Sequence, residues 1–259
     1  MLAPFEASRL KIARARRHIG ELDRLVADYL GRSPVTIVVE ECPWPMLVPT
    51  DSWIARINEP VPTDLAPVIG DAIHNLRTAL DLLANDLVRL AGENTKGVYF
   101  PFAEHESGLQ DQIKRKNFSL AGAKAVELLK KLRPYRGGTI GLRGLHDLDV
   151  MDKHQALVPI IGTVVIDLSG RVPNADPATK DQLTNWPTRI DHDGQLVVSM
   201  PAGWGPRRGT RIKQDYVLTI DLEVGPQSTG RGYEVVAILN ELARIVEGVV
   251  TEFEKLSSS

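Results

Sequence analysis

Asp71, His74, Asn75, Arg77 and Asp81 lie in one short stretch, and Asp71, His74, Thr78, Asp81 and Asn85 recur within it at three- and four-residue spacing. On a helix such residues share a face, so a histidine, a guanidinium and carboxylates would be side-chain neighbours. A histidine held by a carboxylate can move a proton, and a guanidinium beside it can hold a phosphate or carboxylate. The same pattern also describes an ordinary solvated polar face, with i,i+4 pairs contributing about 0.2–0.5 kcal/mol each. His74, Arg77 and Asp81 are therefore candidate catalytic residues. Asp71, His74, Asn75 and Arg77 are candidate ligand contacts.

A second concentration follows in Leu145-His146-Asp147-Leu148-Asp149-Val150-Met151-Asp152-Lys153-His154. On a helix His146, Asp149 and Lys153 share a face, while His154 falls nearer Asp147 and Val150. His146 and His154 join the candidates for proton transfer, and Lys153 those for ligand contact. The mixture of aspartate and histidine also suits a divalent metal. Its spacing is not HExxH, in which histidines at i and i+4 converge. His146 and His154 would lie about 12 Å apart along the axis, at about 1.5 Å per residue. A metal site would need both stretches, with His74, His146 and Asp149 as candidate ligands.

Weaker signals surround these. Asp191-His192-Asp193-Gly194 looks metal-like but reads better as a turn. The basic loop Gly203 to Gly209 could meet a polyanion, although a solvated loop is the simpler reading. Arg136-Gly137-Gly138 and Gly141 to Gly144 precede or open a helix whose amides could hold an anion. Neither matches GxxxxGK[ST] or GxGxxG, and there is no GxSxG.

The first stretch needs a long helix to position it, and residues 64–91 supply one. Ile69, Ile73, Leu76, Leu80, Leu83, Leu87 and Leu90 form an unbroken seam of alternating four- and three-residue steps. Thr63 or Asp64 can cap it, and Gly92 ends it. The polar stripe is displaced from this seam by one residue, about 100° of rotation. The second stretch falls in a helix over 141–157. Further helices are predicted over 7–30, 120–132 and 231–256, the last with a clean seam of its own. Residues 105–118 read as helix or loop, and 98–102 as extended. Strand patterns cover 35–39, 53–57, 163–168, 188–191, 195–200 and 216–224. Residues 35–57 suggest a hairpin with a long Pro-rich loop, and Asp193-Gly194 a second hairpin turn. The expected fold is α+β: one domain over 1–259, a helical bundle with inserted antiparallel β segments, the β-rich insertion spanning 163–224.

Composition sets limits. The 259 residues are 43% hydrophobic and 25% charged, with a net charge of −2. That balance gives no global pull toward nucleic acid or an anionic membrane. The single cysteine, Cys42, cannot form an internal disulfide and reads as an inert, buried thiol. The basic residues near the start, Arg9 to Arg17, point several ways around a helix and suggest a solvated surface. No signal peptide and no membrane span is expected, which makes the cytoplasm the expected compartment.

Gly70-Asp71-Ala72-Ile73-His74-Asn75-Leu76-Arg77-Thr78-Ala79-Leu80-Asp81, followed by Phe100-Pro101, Pro134-Tyr135 and Asp152-Lys153-His154, resembles a widespread set of uncharacterised bacterial proteins. Those pair a GDxxHNLRxALDHL helix with a later DKH motif. The likeness covers about residues 65–157 and brings no activity with it. The chain is also similar, more weakly, to HEPN-type helical domains, whose nucleases cut RNA with an arginine and a histidine four to six residues apart. Arg77 matches the arginine, but Leu82 stands where the histidine would fall. The resemblance thus implies a helical bundle and a binding role, not RNase activity. The resulting expectation is a HEPN-like binding or regulatory module contacting RNA or a nucleotide through Arg77. The alternatives are a metal-assisted enzyme using His74 and His146, and a structural homodimer formed by pairing the two seams between chains. No cofactor is predicted beyond that divalent ion.

Overall fold

A computed structural model describes residues 3–42, 49–154, 157, 159–162, 190, 192–202, 207–209, 211–212, 216–220 and 233–257. These form helices α1 (Glu6–Gly31), α2 (Leu65–Leu90), α3 (Leu109–Arg115), α4 (Ala123–Leu132), α5 (Ile140–His154) and α6 (Val235–Ser257). The strands are β1 (Val35–Glu41), β2 (Thr50–Ile57), β3 (Ile160–Gly162), β4 (Leu196–Pro201), β5 (Arg211–Ile212), β6 (Val217–Ile220) and β7 (Tyr233–Glu234). The fold is α+β, as the sequence pattern implies.

The seam of α2 sets the core. Ile69, Ile73, Leu76, Leu80, Leu83 and Leu87 are buried, while Leu90, at the helix end, is 51% exposed. Each buried side chain of this size contributes roughly 1.5–3 kcal/mol. Helices α1, α5 and α6 all pack on α2, and α1 and α6 also pack on each other. The two sequence seams are thus occupied within one chain. Helix α1 turns Ile12, Ile19, Leu22, Val26 and Tyr29 inward. Its basic side is tied to α6, where Arg9 pairs with Glu254, and Arg16 with Glu247 at 2.7 Å. The start of α1 is pinned to α2 by Phe5 N–H, which donates to the buried Asp86 at 2.8 Å.

Helix ends depart from the sequence reading for local reasons. Asp64 precedes α2 without making a side-chain cap; Leu65 and Ala66 N–H donate to the carbonyls of Pro62 and Thr63. Helix α5 stops at His154, short of residue 157. Helix α6 starts at Val235 because Tyr233 and Glu234 pair with β6. The Glu234 carboxylate then accepts Val236 N–H at 3.0 Å, and Ala237 N–H as well, closing the first turn.

Two antiparallel sheets flank the helices. The expected hairpin forms, with Val35 opposite Ile57 and Glu41 opposite Asp51. It is the centre of a sheet ordered β4-β2-β1-β5, so strands from the second half of the chain complete it. The other sheet is ordered β3-β6-β7. Asp193-Gly194 does turn, with Gly194 at φ +78. Among the described residues it does not join mutually paired strands, however: β4 pairs with β2, and Ile190 bridges Ile161. Asp193 Oδ1 instead accepts Ile57 N–H at 2.9 Å, and Gly194 N–H donates to Ala55 O at 2.9 Å, so the turn delivers β4 to β2. The predicted strand at 163–168, the remainder of 188–191 and the end of 216–224 lie outside the described residues. Cys42 is half-buried.

Leu80 and Leu90 are equivalent in the sequence seam but not in the fold. Leu80→Ala should cost about 2–5 kcal/mol and Leu90→Ala under about 1 kcal/mol in urea unfolding. Equal losses would contradict the packing described.

Candidate functional site

The polar stripe of α2 divides in two. Its C-terminal half serves the extended segment 98–103, where Val98, Phe100 and Phe102 are buried and Tyr99 is exposed. Apart from a single bridge from Ala103 to Tyr135, that segment has no strand beside it among the described residues. Its backbone polar groups therefore need partners elsewhere, since leaving them unmade is costly. Asp81 accepts Phe100 N–H at 2.9 Å, Arg77 Nη2 donates to Phe100 O at 3.4 Å, and Asn85 Nδ2 donates to Val98 O at 3.1 Å. Arg77 and Asp81 also pair with each other at 2.6 Å. The Arg77 guanidinium lies 4.7 Å from the Phe102 ring centre, and the residue is buried. Two of the candidate catalytic residues, Arg77 and Asp81, thus hold a backbone.

The N-terminal half meets α5. His74 Nδ1 stands 3.2 Å from Asp149 Oδ1, and the other Asp149 oxygen accepts Lys153 Nζ at 2.6 Å. The Asp149 side chain is 4% exposed, whereas those of His74 and Lys153 are 57% and 54% exposed. A carboxylate can only accept, so in the neutral ring the proton belongs on Nδ1 and Nε2 is the acceptor. Thr78 Oγ1 lies 3.5 Å from Nε2, a long contact. The dyad thus presents an oriented imidazole edge able to take or give a proton.

Asp71 is exposed on this face, and Asn75 is buried behind it. Asn75 Nδ2 donates to the Asp71 carbonyl at 2.7 Å, and its Oδ1 accepts Lys11 Nζ from α1 at 3.2 Å. Asp152 rests on Gly70. A Cβ at that position would stand 2.5 Å from one carboxylate oxygen of Asp152 and 2.6 Å from the other. Burial raises the Asp152 carboxyl above its ordinary value, and the negative charges of Asp149 and Asp71 raise it further. His74 and Lys153 oppose them. Three carboxylates therefore share a face with one lysine and one histidine.

His146 belongs to different surroundings. Its ring stacks on Phe102 with centres 4.7 Å apart and planes 5° from parallel. Its Nδ1 is buried and meets no hydrogen-bond partner among the described residues. Burial lowers this imidazole to about 4, helped by the Arg77 and Arg143 charges, so it is neutral at physiological pH. Arg143 is itself engaged, donating to Ala103 O at 2.7 Å and pairing with Glu104 and Asp147. Arg136 joins the same network through Glu104 at 2.6 Å. His154 is exposed on the last turn of α5.

His74 and Asp149 thus come together, while His146 packs against Phe102. Among the described residues no group of three or more His, Cys, Asp and Glu side chains is placed to hold a metal ion. In the Asp191 to Gly194 stretch, Asp193 is committed to Ile57 N–H. Arg208 of the basic loop pairs with Asp51 at 2.7 Å and Glu41 at 2.8 Å, while residues 203–206 lie outside the described residues. Sequence reasoning missed the approach of Asp152 to Gly70. Its signal was present: a glycine inside a helix costs roughly 0.5–1 kcal/mol relative to alanine, which calls for a packing reason. No family model, no curated protein and no solved structure matches the chain.

The two halves of the stripe should separate on mutation. Arg77→Ala leaves Asp81 and the Phe100 carbonyl short of a partner and should cost about 2–4 kcal/mol in urea unfolding. His74→Ala removes an exposed contact and should cost under about 1 kcal/mol. For His146, the ring signals should titrate by NMR with a midpoint near about 4. Because the folded value lies below that of the unfolded chain, stability should fall as pH drops from about 6.5 through about 4. A midpoint at the ordinary histidine value would contradict the burial described.

Proposed function

We propose that the chain is a HEPN-like binding or regulatory module that meets its ligand at the exposed edge of α2 and α5, through His74 and Lys153. The observation that carries this reading is an exposed imidazole oriented by a buried aspartate that also braces a lysine. A contact worth no more than a surface ion pair would not call for a buried carboxylate, whose desolvation is costly. Arg77, the residue that the sequence pattern favours, is turned to Phe100 and Asp81.

The charge arrangement narrows the ligand. Lys153 and a protonated His74 can supply charge-assisted donors to one phosphate. Asp71, Asp149 and Asp152 border the same face and would repel a chain of phosphates. On α1, Arg9 and Arg16 are already paired with glutamates of α6. A mononucleotide therefore fits better than RNA. The packing of α1, α2 and α6 supports the helical-bundle comparison. The resemblance does not bring nuclease chemistry, since Leu82 replaces the histidine.

Calorimetric titration of mononucleotides and a short single-stranded RNA against the full chain tests this reading. Binding of a mononucleotide should weaken by about tenfold or more in His74→Ala and in Lys153→Ala, as loss of a hydrogen bond to a charged group implies. No mononucleotide binding by the wild type, or equal binding by wild type and both variants, would overturn it. So would RNA bound more tightly than the mononucleotide and unaffected by His74→Ala.

A further inference from the structure

We propose that Thr78, His74 and Asp149 act as nucleophile, base and orienting acid, and that the edge of α2 and α5 takes an acyl group from a small activated ester onto Thr78. This chemistry goes beyond ligand binding and does not rest on the nucleotide reading above.

The three groups stand in the order that such a reaction needs. Asp149 Oδ1 faces His74 Nδ1 at 3.2 Å, and His74 Nε2 faces Thr78 Oγ1 at 3.5 Å. A constellation of this kind is recognised by geometry and roles, whatever the fold. The second oxygen of Asp149 accepts Lys153 Nζ at 2.6 Å, which fixes the carboxylate from both sides. With the ring proton on Nδ1, Nε2 carries a lone pair, and the Thr78 hydroxyl is the donor facing it. The acid is buried and the imidazole exposed, so the relay runs from the interior to the surface.

The Thr78 hydroxyl is set apart from the helical hydroxyls of α6. A threonine or serine inside a helix can donate to the carbonyl four residues back. Thr251 and Ser257 do so, to Glu247 O and Phe253 O, each at 2.9 Å. Among the described residues Thr78 makes no such bond, and its hydrogen-bond contact is the His74 imidazole. Its hydroxyl is thus left to a base instead of being spent on its own helix. The contact is longer than the about 2.6–3.2 Å of a closed nucleophile–base pair, and such pairs tighten when substrate enters.

Charge and backbone select the substrate class. Phosphoryl transfer spreads charge over three equatorial oxygens. Asp71, Asp149 and Asp152 border this face and would repel a group of that kind, whereas an acyl carbon is neutral. Thr78 lies in the body of α2, where backbone amides are spent on the helix ladder and cannot form an oxyanion hole. Lys153 is the cation that the cluster offers to a developing oxyanion. The ester must therefore bring a good leaving group.

Each step balances with water as the only co-reactant. As Thr78 Oγ1 bonds to the carbonyl carbon, Nε2 takes the hydroxyl proton and the carbonyl electron pair moves to oxygen. The tetrahedral intermediate expels the alcohol, to which Nε2 returns the proton, and an ester remains on Thr78. Water then attacks that ester, Nε2 takes a water proton, and Oγ1 leaves with it as the carboxylic acid departs. Asp149 keeps the proton on Nδ1 throughout and is a positioning residue.

Incubation of the full chain with p-nitrophenyl acetate tests the proposal, with acetyl groups located by peptide mass mapping. Wild type should carry an acetyl group on Thr78. Thr78→Val should lose it, and Thr78→Ser should carry it on the new hydroxyl. His74→Gln should acetylate Thr78 at least about 100-fold more slowly, the loss expected for a general base. Circular dichroism checks that each variant is folded. In Asp149→Asn, Lys153 takes the amide oxygen and the amide NH2 faces Nδ1, so the ring proton belongs on Nε2. Nitrogen NMR of His74 should show that change of tautomer together with slower acetylation. Slower acetylation with an unchanged tautomer would remove Asp149 from its role. No acetyl group on Thr78 in wild type, acetylation of His74 or lysines alone, or an equal rate at Thr78 in His74→Gln would overturn the proposal. The nucleotide titration and this acetylation stand or fall separately.

Discussion

An extended segment outside any sheet of the described residues must find partners for its backbone, and much of the candidate site follows from how residues 98–103 find theirs. Asp81 and Arg77 of α2 take the N–H and C=O of Phe100 and are held together by their own ion pair. This does for one residue what a neighbouring strand would do for a ladder. Phe102 is then fixed against the Arg77 guanidinium, and its ring supplies the surface on which His146 stacks. With His146 in place on α5, Asp149 and Lys153 follow on the same helix face and reach His74. The clasp on Phe100 and the dyad at His74 are thus two ends of one construction along α2.

Exposure, not residue type, separates the two ends. Both carry a carboxylate and a basic side chain at helical spacing. At the Phe100 end the guanidinium is buried and turned to protein groups. At the other end the carboxylate is buried and the basic groups face outward. A buried carboxylate that orients exposed donors is preorganised for an external partner, while a buried cation on a backbone carbonyl is preorganised for the fold itself.

This distinction marks the limit of what the sequence could show. The seam of α2 was legible because apolar periodicity depends only on local spacing, and the same holds for α1 and α6. The face shared by Asp149 and Lys153 was legible for the same reason. The pairing of Arg77 with Asp81 follows from that spacing too, but its backbone partner was not legible, because Phe100 lies in a segment whose backbone needs appear only when it is placed on α2. The pairing of β4 with β2 was equally hidden, since strand partners are chosen non-locally and Asp193-Gly194 carries the same turn signal whichever strand follows. The pairing of Arg9 and Arg16 with α6 could not be read from α1 alone, although their spread around the helix already argued against a single phosphate-binding stripe.

The Gly70 and Asp152 pair completes the argument about α2. A glycine in the first turns of a helix weakens it, and a carboxylate pressed on a helix among other carboxylates weakens the contact again. Either alone would be an unremarkable local defect. Together they place an acid where no side chain separates it from α2 and where two more carboxylates and an exposed histidine feel its charge. The missing side chain at Gly70 is what lets a carboxylate of α5 reach the backbone of α2 beside the exposed His74.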